Sequence, residues 1–198
     1  MDIIKNKVNK SSLERIMKAY DKKSKFLKEV ETYFSLPDTY SQLEQKPSFP
    51  CLVGAIGTFR VEDLPYTNLK EEEYRYEGVP KHLTVTEAST CCNQLCYVGM
   101  GEIRRLRLVK DIEFIPLEKF YDFKTMFEKF LVYDFSVKFD KRLDQDEQFY
   151  CNLRLNRAKK IKDLVLLHFD FNFGEFNSEG KCGEGKVFGY MNVALKYP

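Results

Sequence analysis

The sequence predicts an α+β fold in which a curled antiparallel sheet surrounds one central helix. Apolar residues recur with a helical period through residues 82–98. Downstream of residue 101, apolar and polar side chains alternate, which is typical of strands with one buried face. At 198 residues, 43% of them hydrophobic, the chain can bury a core, and we expect a single domain over 1–198.

The first 48 residues predict a helical extension of this domain. Ser12 is a suitable N-cap, and the apolar residues that follow are spaced for a helix of about 22 residues. These residues are Leu13, Ile16, Met17, Tyr20, Leu27, Val30 and Phe34. Prolines at positions 37, 47 and 50 then indicate a loop.

Strand candidates lie on both sides of the central helix. A first strand is predicted at 51–61, followed by a loop over 62–81. The later candidates are 102–109, 112–116, 130–139, 147–158, 163–174 and 186–197, with a short helix near 123–130. One strand, a long loop, one helix and then successive antiparallel strands is the order of a hot-dog fold. The periodicity alone supports this order but leaves another α+β topology open.

The central helix has two unlike sides. Steps of about 100° per residue place apolar side chains on one arc and uncharged polar ones on the other. The apolar arc holds Val85, Ala88, Cys91, Cys92, Leu95 and Cys96; the polar arc holds Thr86, Ser89, Thr90, Asn93 and Tyr97, with Glu87 and Gln94 at its edge. Because the polar arc lacks Lys and Arg in a chain that is 31% charged, we expect it to line a site. Thr84 and Glu87 form a capping-box pattern, which puts the helix N-terminus near residue 84.

Composition excludes several classes of function. The net charge of +2 gives no support for nucleic-acid binding, and no apolar run is long enough to span a membrane. The N-terminus has no signal-peptide core, so we expect a cytoplasmic location. Six cysteines without a C-x-x-C pair, together with two histidines, predict reduced thiols packed in the core rather than disulfides or a metal site.

Four short segments carry a family resemblance. They are Gly57-Thr-Phe-Arg-Val, Pro65-Tyr66, His82-Leu-Thr-Val-Thr-Glu87 and Cys92-Asn-Gln-Leu-Cys-Tyr97. Together they resemble the FcoT-type long-chain acyl-CoA thioesterases, which are hot-dog proteins. Weaker similarity reaches from about residue 13 to 198, including Arg15-Ile-Met-Lys-Ala-Tyr20 and the strand at 185–195.

The resemblance implies a set of site residues. Tyr66, Asn93 and Tyr20 match family positions associated with catalysis, whereas Thr84 stands where family members can have Asn. From the residues themselves, the Asn93 amide suits orienting water or polarising a carbonyl, and the Tyr66 phenol suits an oxyanion. His82, just before the positive end of the helix, and Glu87 are candidate bases, and Glu87 is alternatively only the cap partner of Thr84. Thr86, Thr90 and Tyr97 are expected to contact substrate.

We therefore expect an enzyme that hydrolyses fatty acyl-CoA or acyl-carrier-protein thioesters. Water attacks the carbonyl directly, without a covalent acyl-enzyme, a cofactor or a metal ion. The resemblance also implies a homo-oligomer. Three alternatives stay open: addition of glycine to an enoyl-carrier protein, as in relatives of isonitrile-lipopeptide pathways, a dehydratase of the same fold, and a non-catalytic acyl-binding protein.

Overall fold

The computed structural model describes residues 3–18, 20, 25–35, 52–61, 82–113, 115–117, 129–144 and 147–196. In chain order, the elements of these segments are β1 (Ile3–Lys7), α1 (Lys10–Met17), β2 (Leu27–Ser35), β3 (Leu52–Phe59), α2 (Val85–Arg105), β4 (Phe130–Phe139), β5 (Phe149–Ile161), β6 (Leu164–Phe176) and β7 (Cys182–Lys196). A short 3₁₀ helix, Lys110–Ile112, follows α2. None of the helices in these segments is long and apolar enough to cross a membrane.

The seven strands form one antiparallel sheet in the order β1-β2-β3-β5-β6-β7-β4. Helix α2 packs against β2, β3 and β5. Its side chains at Cys91, Cys92, Leu95 and Cys96 are inaccessible to solvent, so the helix contributes a full face to the core. The predicted α+β architecture, an antiparallel sheet with helices, is confirmed.

Small residues allow α2 to approach the sheet closely. A Cβ atom added at Gly99 would lie 3.1 Å from the Ala55 Cβ, and one added at Gly57 would lie 3.0 Å from a Leu95 methyl carbon. Cys92 of α2 and Cys151 of β5, both small and fully buried, are neighbours in the same core. The prediction that the helix cysteines pack in the core is confirmed.

The strands predicted after residue 129 are confirmed as β4 to β7, with small shifts at their ends. Alternating side chains place Phe169, Phe171 and Phe173 of β6 in the core. The first predicted strand, 51–61, is confirmed as β3. The short helix expected near 123–130 falls mostly outside the described residues, and Phe130 itself begins β4.

The long N-terminal helix is wrong, because α1 ends at Met17 and residues 27–35 form strand β2. The cap is Asn9, whose side chain accepts the Ser12 N–H at 2.8 Å. A β-bulge between Leu27 and Glu29 explains the error. One extra residue in a strand changes the buried spacing from two to three, so Leu27 and Val30 imitate a helical step. The described part of residues 1–48 is therefore not a helical extension, since β1 and β2 belong to the sheet.

The central helix is longer than predicted and begins later. It runs over Val85–Arg105 instead of about 82–98, so 102–105 are helical and not the start of a strand. The predicted strand at 112–116 is also wrong, because Lys110–Ile112 is a 3₁₀ helix. Gly99 and Gly101 lie inside the helix, although glycine has a low helix propensity. The close packing of Gly99 on Ala55 favours glycine at that position.

Candidate active site

The polar side of α2 is a continuous stripe of uncharged side chains. Thr86, Thr90, Asn93 and Tyr97, here called the polar stripe, are spaced by four, three and four residues and so share one helix face. Thr86 is exposed and the other three are half-buried. The stripe is therefore open to solvent at the first turn of α2, where Val85 of the apolar arc is also 53% exposed.

Asn93 is the central polar group of the stripe. The Thr90 hydroxyl donates to the Thr86 carbonyl at 2.9 Å, which uses its hydrogen within the helix. No hydrogen bond joins the Asn93 side chain to any other group in the described segments. A half-buried amide with both its donors and its acceptor available can orient a substrate or a water molecule.

Gln94, next to Asn93, has a structural task. Its side chain is fully buried, and its Oε1 accepts the Leu27 N–H at 3.0 Å. Leu27 lies at the bulge of β2, so this bond ties α2 to the strand where regular pairing is interrupted. The two neighbouring amides on α2 thus divide into one used by the fold and one available for chemistry.

Aromatic rings extend the polar stripe at its far end. The Tyr97 ring lies 6.4 Å from Tyr20 and 4.7 Å from Phe130, measured between centroids. Burial raises the pKa of Tyr97 to about 12 and raises that of Tyr20 further. Both phenols are therefore protonated and neutral at physiological pH. The structure brings together two of the predicted residues, Tyr20 and Tyr97, which are far apart in sequence.

The N-terminus of α2 is closed by Glu87. Its Oε2 accepts hydrogen bonds from the Thr84 N–H at 3.0 Å and from the Thr84 hydroxyl. The carboxylate is only 1% exposed, and it lies beside the positive end of the helix, which favours a negative charge. The cap predicted from Thr84 and Glu87 is confirmed, and these contacts favour a structural task for Glu87.

His82 borders a cavity of about 400 Å³ at the same end of α2. Its backbone forms an isolated bridge with Asp144, and Leu83 N–H donates to the Leu143 carbonyl at 2.9 Å. These contacts bring the segment after β4 beside the helix N-terminus. The cavity is lined by His82, Leu83, Thr84, Val85, Phe139, Asp140, Lys141, Arg142 and Leu143.

Sequence reasoning missed Phe139, Lys141 and Arg142 as neighbours of His82. The bridge that brings them there pairs residues 62 positions apart, and no local pattern encodes it. The charged residues 140–142 that follow β4 are the one sequence feature that could have indicated a site here. It is a weak indication, because Lys141 pairs with Glu184 at 2.7 Å and Arg142 pairs with Asp144 at 2.9 Å.

The predicted site residues fall into two groups along α2. Thr84, His82 and Glu87 lie at its N-terminus. Asn93 lies nine residues beyond Thr84, which corresponds to about 13 Å of helix, and six residues beyond Glu87, which corresponds to about 9 Å. Tyr20 and Tyr97 belong with Asn93. Tyr66 lies outside the described residues.

The buried thiols are poor nucleophiles. Loss of solvation raises the pKa of Cys91, Cys92 and Cys96 well above that of an ordinary thiol. Since the thiolate is the reactive form, none of these three is activated. This agrees with the expectation that they only pack in the core.

Comparisons with known proteins bear on the family. The model of the FcoT-like thioesterase domain family matches residues 15–194. A solved structure of a hypothetical thioesterase with coenzyme A, from Streptococcus pneumoniae, has 8% sequence identity and a TM-score of 0.36. That alignment covers 78% of this chain and 86% of the other. No curated protein sequence matches the chain. Because the family model spans nearly the whole chain, the protein belongs to the FcoT-like thioesterase domain family and is a thioester-hydrolysing enzyme.

Proposed function

We propose that the protein hydrolyses fatty acyl thioesters, of coenzyme A or of an acyl-carrier protein, at the polar stripe of α2. The observation that carries this proposal is Asn93, whose half-buried amide has no hydrogen-bond partner among the described residues. It lies on an uncharged helix face beside the neutral phenol of Tyr97. Such a surface suits a neutral carbonyl that becomes an oxyanion during the reaction.

The proposed reaction adds water directly to the thioester carbonyl. The Asn93 Nδ2 and the Tyr66 hydroxyl donate to the oxygen as it gains negative charge. Collapse of the tetrahedral intermediate breaks the carbon–sulfur bond, and the thiolate leaves as a thiol with the proton that His82 took from the attacking water. Tyr20 and Tyr97 remain protonated because of their raised pKa, so they present neutral surfaces to the acyl group.

A second subunit is part of this proposal. His82 is the proposed proton acceptor, but about 13 Å of helix separates the His82 end of α2 from Asn93. One chain therefore does not direct both groups at one carbonyl. We propose a hot-dog homo-oligomer in which Asn93 of one subunit and His82 of another share a site.

The test of hydrolysis is thiol release across a panel of acyl-CoA and acyl-carrier-protein substrates. Asn93→Ala and Tyr66→Phe are each expected to lower kcat roughly 100-fold, as loss of an oxyanion donor does. Asn172→Ala is the matched control, because this half-buried Asn lies on β6 and donates to the Tyr150 hydroxyl at 3.3 Å. Unchanged thiol release in both site variants would refute the assignment of Asn93 and Tyr66. A glycine-dependent gain of mass in the acyl product would show that an amine, and not water, attacks the substrate.

The shared site has a separate test. Once Asn93→Ala and His82→Ala are each shown to be inactive, they are unfolded together and refolded as a mixture. Hybrid oligomers then contain sites with one intact Asn93 and one intact His82, so part of the activity returns. A mixture as inactive as its components, although hybrids form, would contradict the shared site.

A further inference from the structure

A second cavity lies on the outer face of the sheet, opposite the face that α2 covers. It has a volume of about 420 Å³ and lies where β5, β6, β7 and β4 run side by side. Its apolar lining includes Tyr133, Ile161 and Leu166, and its basic lining includes Arg157 and Lys159. Tyr133 and Ile161 are 51% and 40% exposed, so the cavity presents two large apolar side chains to solvent beside its basic groups.

The acidic groups near this cavity are already engaged. Asp134 accepts the Asn192 Nδ2 at 2.9 Å, and Asn192 Oδ1 in turn lies 2.6 Å from His168 Nδ1. Asp170 accepts from Asn156 and lies 3.3 Å from His168 Nε2. Both carboxylates therefore contact polar side chains on neighbouring strands of the sheet, and among the described residues neither contacts a lysine or arginine of the cavity lining.

Unlike these carboxylates, the two cations of the cavity are not engaged by an oppositely charged side chain of the described segments. Neither Arg157 nor Lys159 forms an ion pair within the part of the chain that the structure describes. The register pairs Arg157 with His168 and Lys159 with Leu166, so both cations stand beside the cavity floor. A guanidinium and an ammonium on one strand, with no counter-ion in those segments, attract an anion.

We propose that this cavity binds an amphiphilic carboxylate, such as a fatty acid anion. The carboxylate contacts Arg157 and Lys159, and the hydrocarbon chain covers Tyr133, Ile161 and Leu166. The volume is within the range of small-molecule sites, and the combination of an apolar wall with a few charged groups is typical of them. Thioester hydrolysis releases such an anion, but binding here requires neither Asn93 nor catalysis.

The absence of tryptophan from the chain allows a local measurement. In the variant Tyr133→Trp, the one indole of this sequence lies at the cavity, and its fluorescence is expected to change saturably with dodecanoate below the micellar range. Phe188→Trp supplies the control indole, since Phe188 is exposed on β7 and does not line the cavity. A response that is absent, or equal in the two variants, would overturn the proposal.

Charge variants test the chemistry of the site. In the Tyr133→Trp background, Arg157→Gln is expected to weaken dodecanoate binding about tenfold, as loss of a charged hydrogen bond does. Lys160→Gln removes the same charge one residue beyond Lys159 but outside the cavity lining, and should leave the Kd unchanged. Dodecanol that binds as tightly as dodecanoate would refute the role of the cations, and inorganic phosphate that binds as tightly would refute the apolar wall.

These outcomes are independent of the proposed hydrolysis. Thiol release by Arg157→Gln at low product concentration should match that of the unmodified protein. Loss of the fluorescence response with intact thiol release would therefore overturn only the outer cavity. Intact binding without thiol release would instead overturn only the proposed substrate chemistry.

Discussion

At the scale of single residues, Asn93 and Gln94 show how adjacent amides acquire different tasks. Gln94 is fully buried and accepts the Leu27 N–H, so its side chain is committed to the fold. Asn93, one residue before Gln94, lies half-buried on the polar stripe of α2. The difference arises from 100° of rotation about the helix axis and not from residue chemistry.

Gln94→Met is expected to lower the free energy of unfolding by about 1–3 kcal/mol, because it leaves the buried Leu27 N–H without its acceptor at similar side-chain volume. Urea denaturation measures this loss. Gln148→Met is the control, since Gln148 is exposed, and it should change stability little. Equal effects of the two substitutions would show that the Leu27 contact contributes nothing.

The cysteines differ in their access to reagents. In the native protein at neutral pH, iodoacetamide is expected to modify the exposed Cys182 before Cys91, Cys92 or Cys96. The three helix thiols are buried, and their raised pKa keeps them protonated. Peptide mapping by mass spectrometry follows each site, and thiol-releasing activity should survive modification of Cys182. Rapid modification of Cys92 with loss of activity would contradict this prediction.

At the scale of elements, the contact between α2 and the sheet depends on glycine residues, which have no side chain. A Cβ atom at Gly57 would lie 3.0 Å from a Leu95 methyl carbon of α2, and 2.7 Å from a Phe59 ring carbon within the sheet. Gly57 and Gly99 therefore set the separation between the helix and β3, and with it the depth at which the polar stripe lies.

Gly57→Ala is expected to destabilise the protein by about 1–3 kcal/mol, because the added methyl group overpacks the helix–sheet contact. Gly99→Ala is the informative comparison. Its methyl group meets only the Ala55 Cβ at 3.1 Å, and the gain in helix propensity of about 1 kcal/mol offsets the strain. Thermal unfolding should give a lower Tm for Gly57→Ala than for Gly99→Ala. A lower Tm for Gly99→Ala would show that Gly57 is not closely packed between β3 and α2.

At the scale of the whole molecule, buried phenols link stability to alkaline pH. Burial raises the pKa of both Tyr33 and Tyr97 to about 12, whereas the unfolded value is about 10. The Tyr33 hydroxyl also donates to Asn152 Oδ1 at 2.6 Å. The folded state therefore binds these protons more tightly than the unfolded state does.

This difference predicts how stability changes with pH. The contribution of these phenols is complete below about pH 10 and is lost as pH rises from about 10 through 12. Urea midpoints across this interval should fall, and the fall should be shallower in Tyr97→Phe, which retains the ring but has no proton to lose. An unchanged slope in that variant would contradict the burial of the Tyr97 hydroxyl.

Local patterns predicted much of this fold, and tertiary contacts account for the rest. Alternation along β6 and β7 was sufficient to identify these strands, and the angular steps of α2 predicted that Asn93 and Tyr97 share a face. The bulge at Leu27 concealed β2, because it breaks the period on which strand prediction depends. The approach of Tyr20 to Tyr97, and of Lys141 to His82, depends on chain segments meeting in space, which no local period encodes.

The strand order has a consequence for how the chain acquires its structure during synthesis. Phe59 pairs with Phe149 and Gly54 with Arg154, so one edge of β3 stays unpaired until the ribosome has added about 90–100 further residues. The meander β5-β6-β7, by contrast, consists of neighbours in sequence and can assemble by local hairpin formation. Until β5 emerges, β3 and the apolar arc of α2 have one open flank, and protection of that flank by a chaperone is most valuable during this interval.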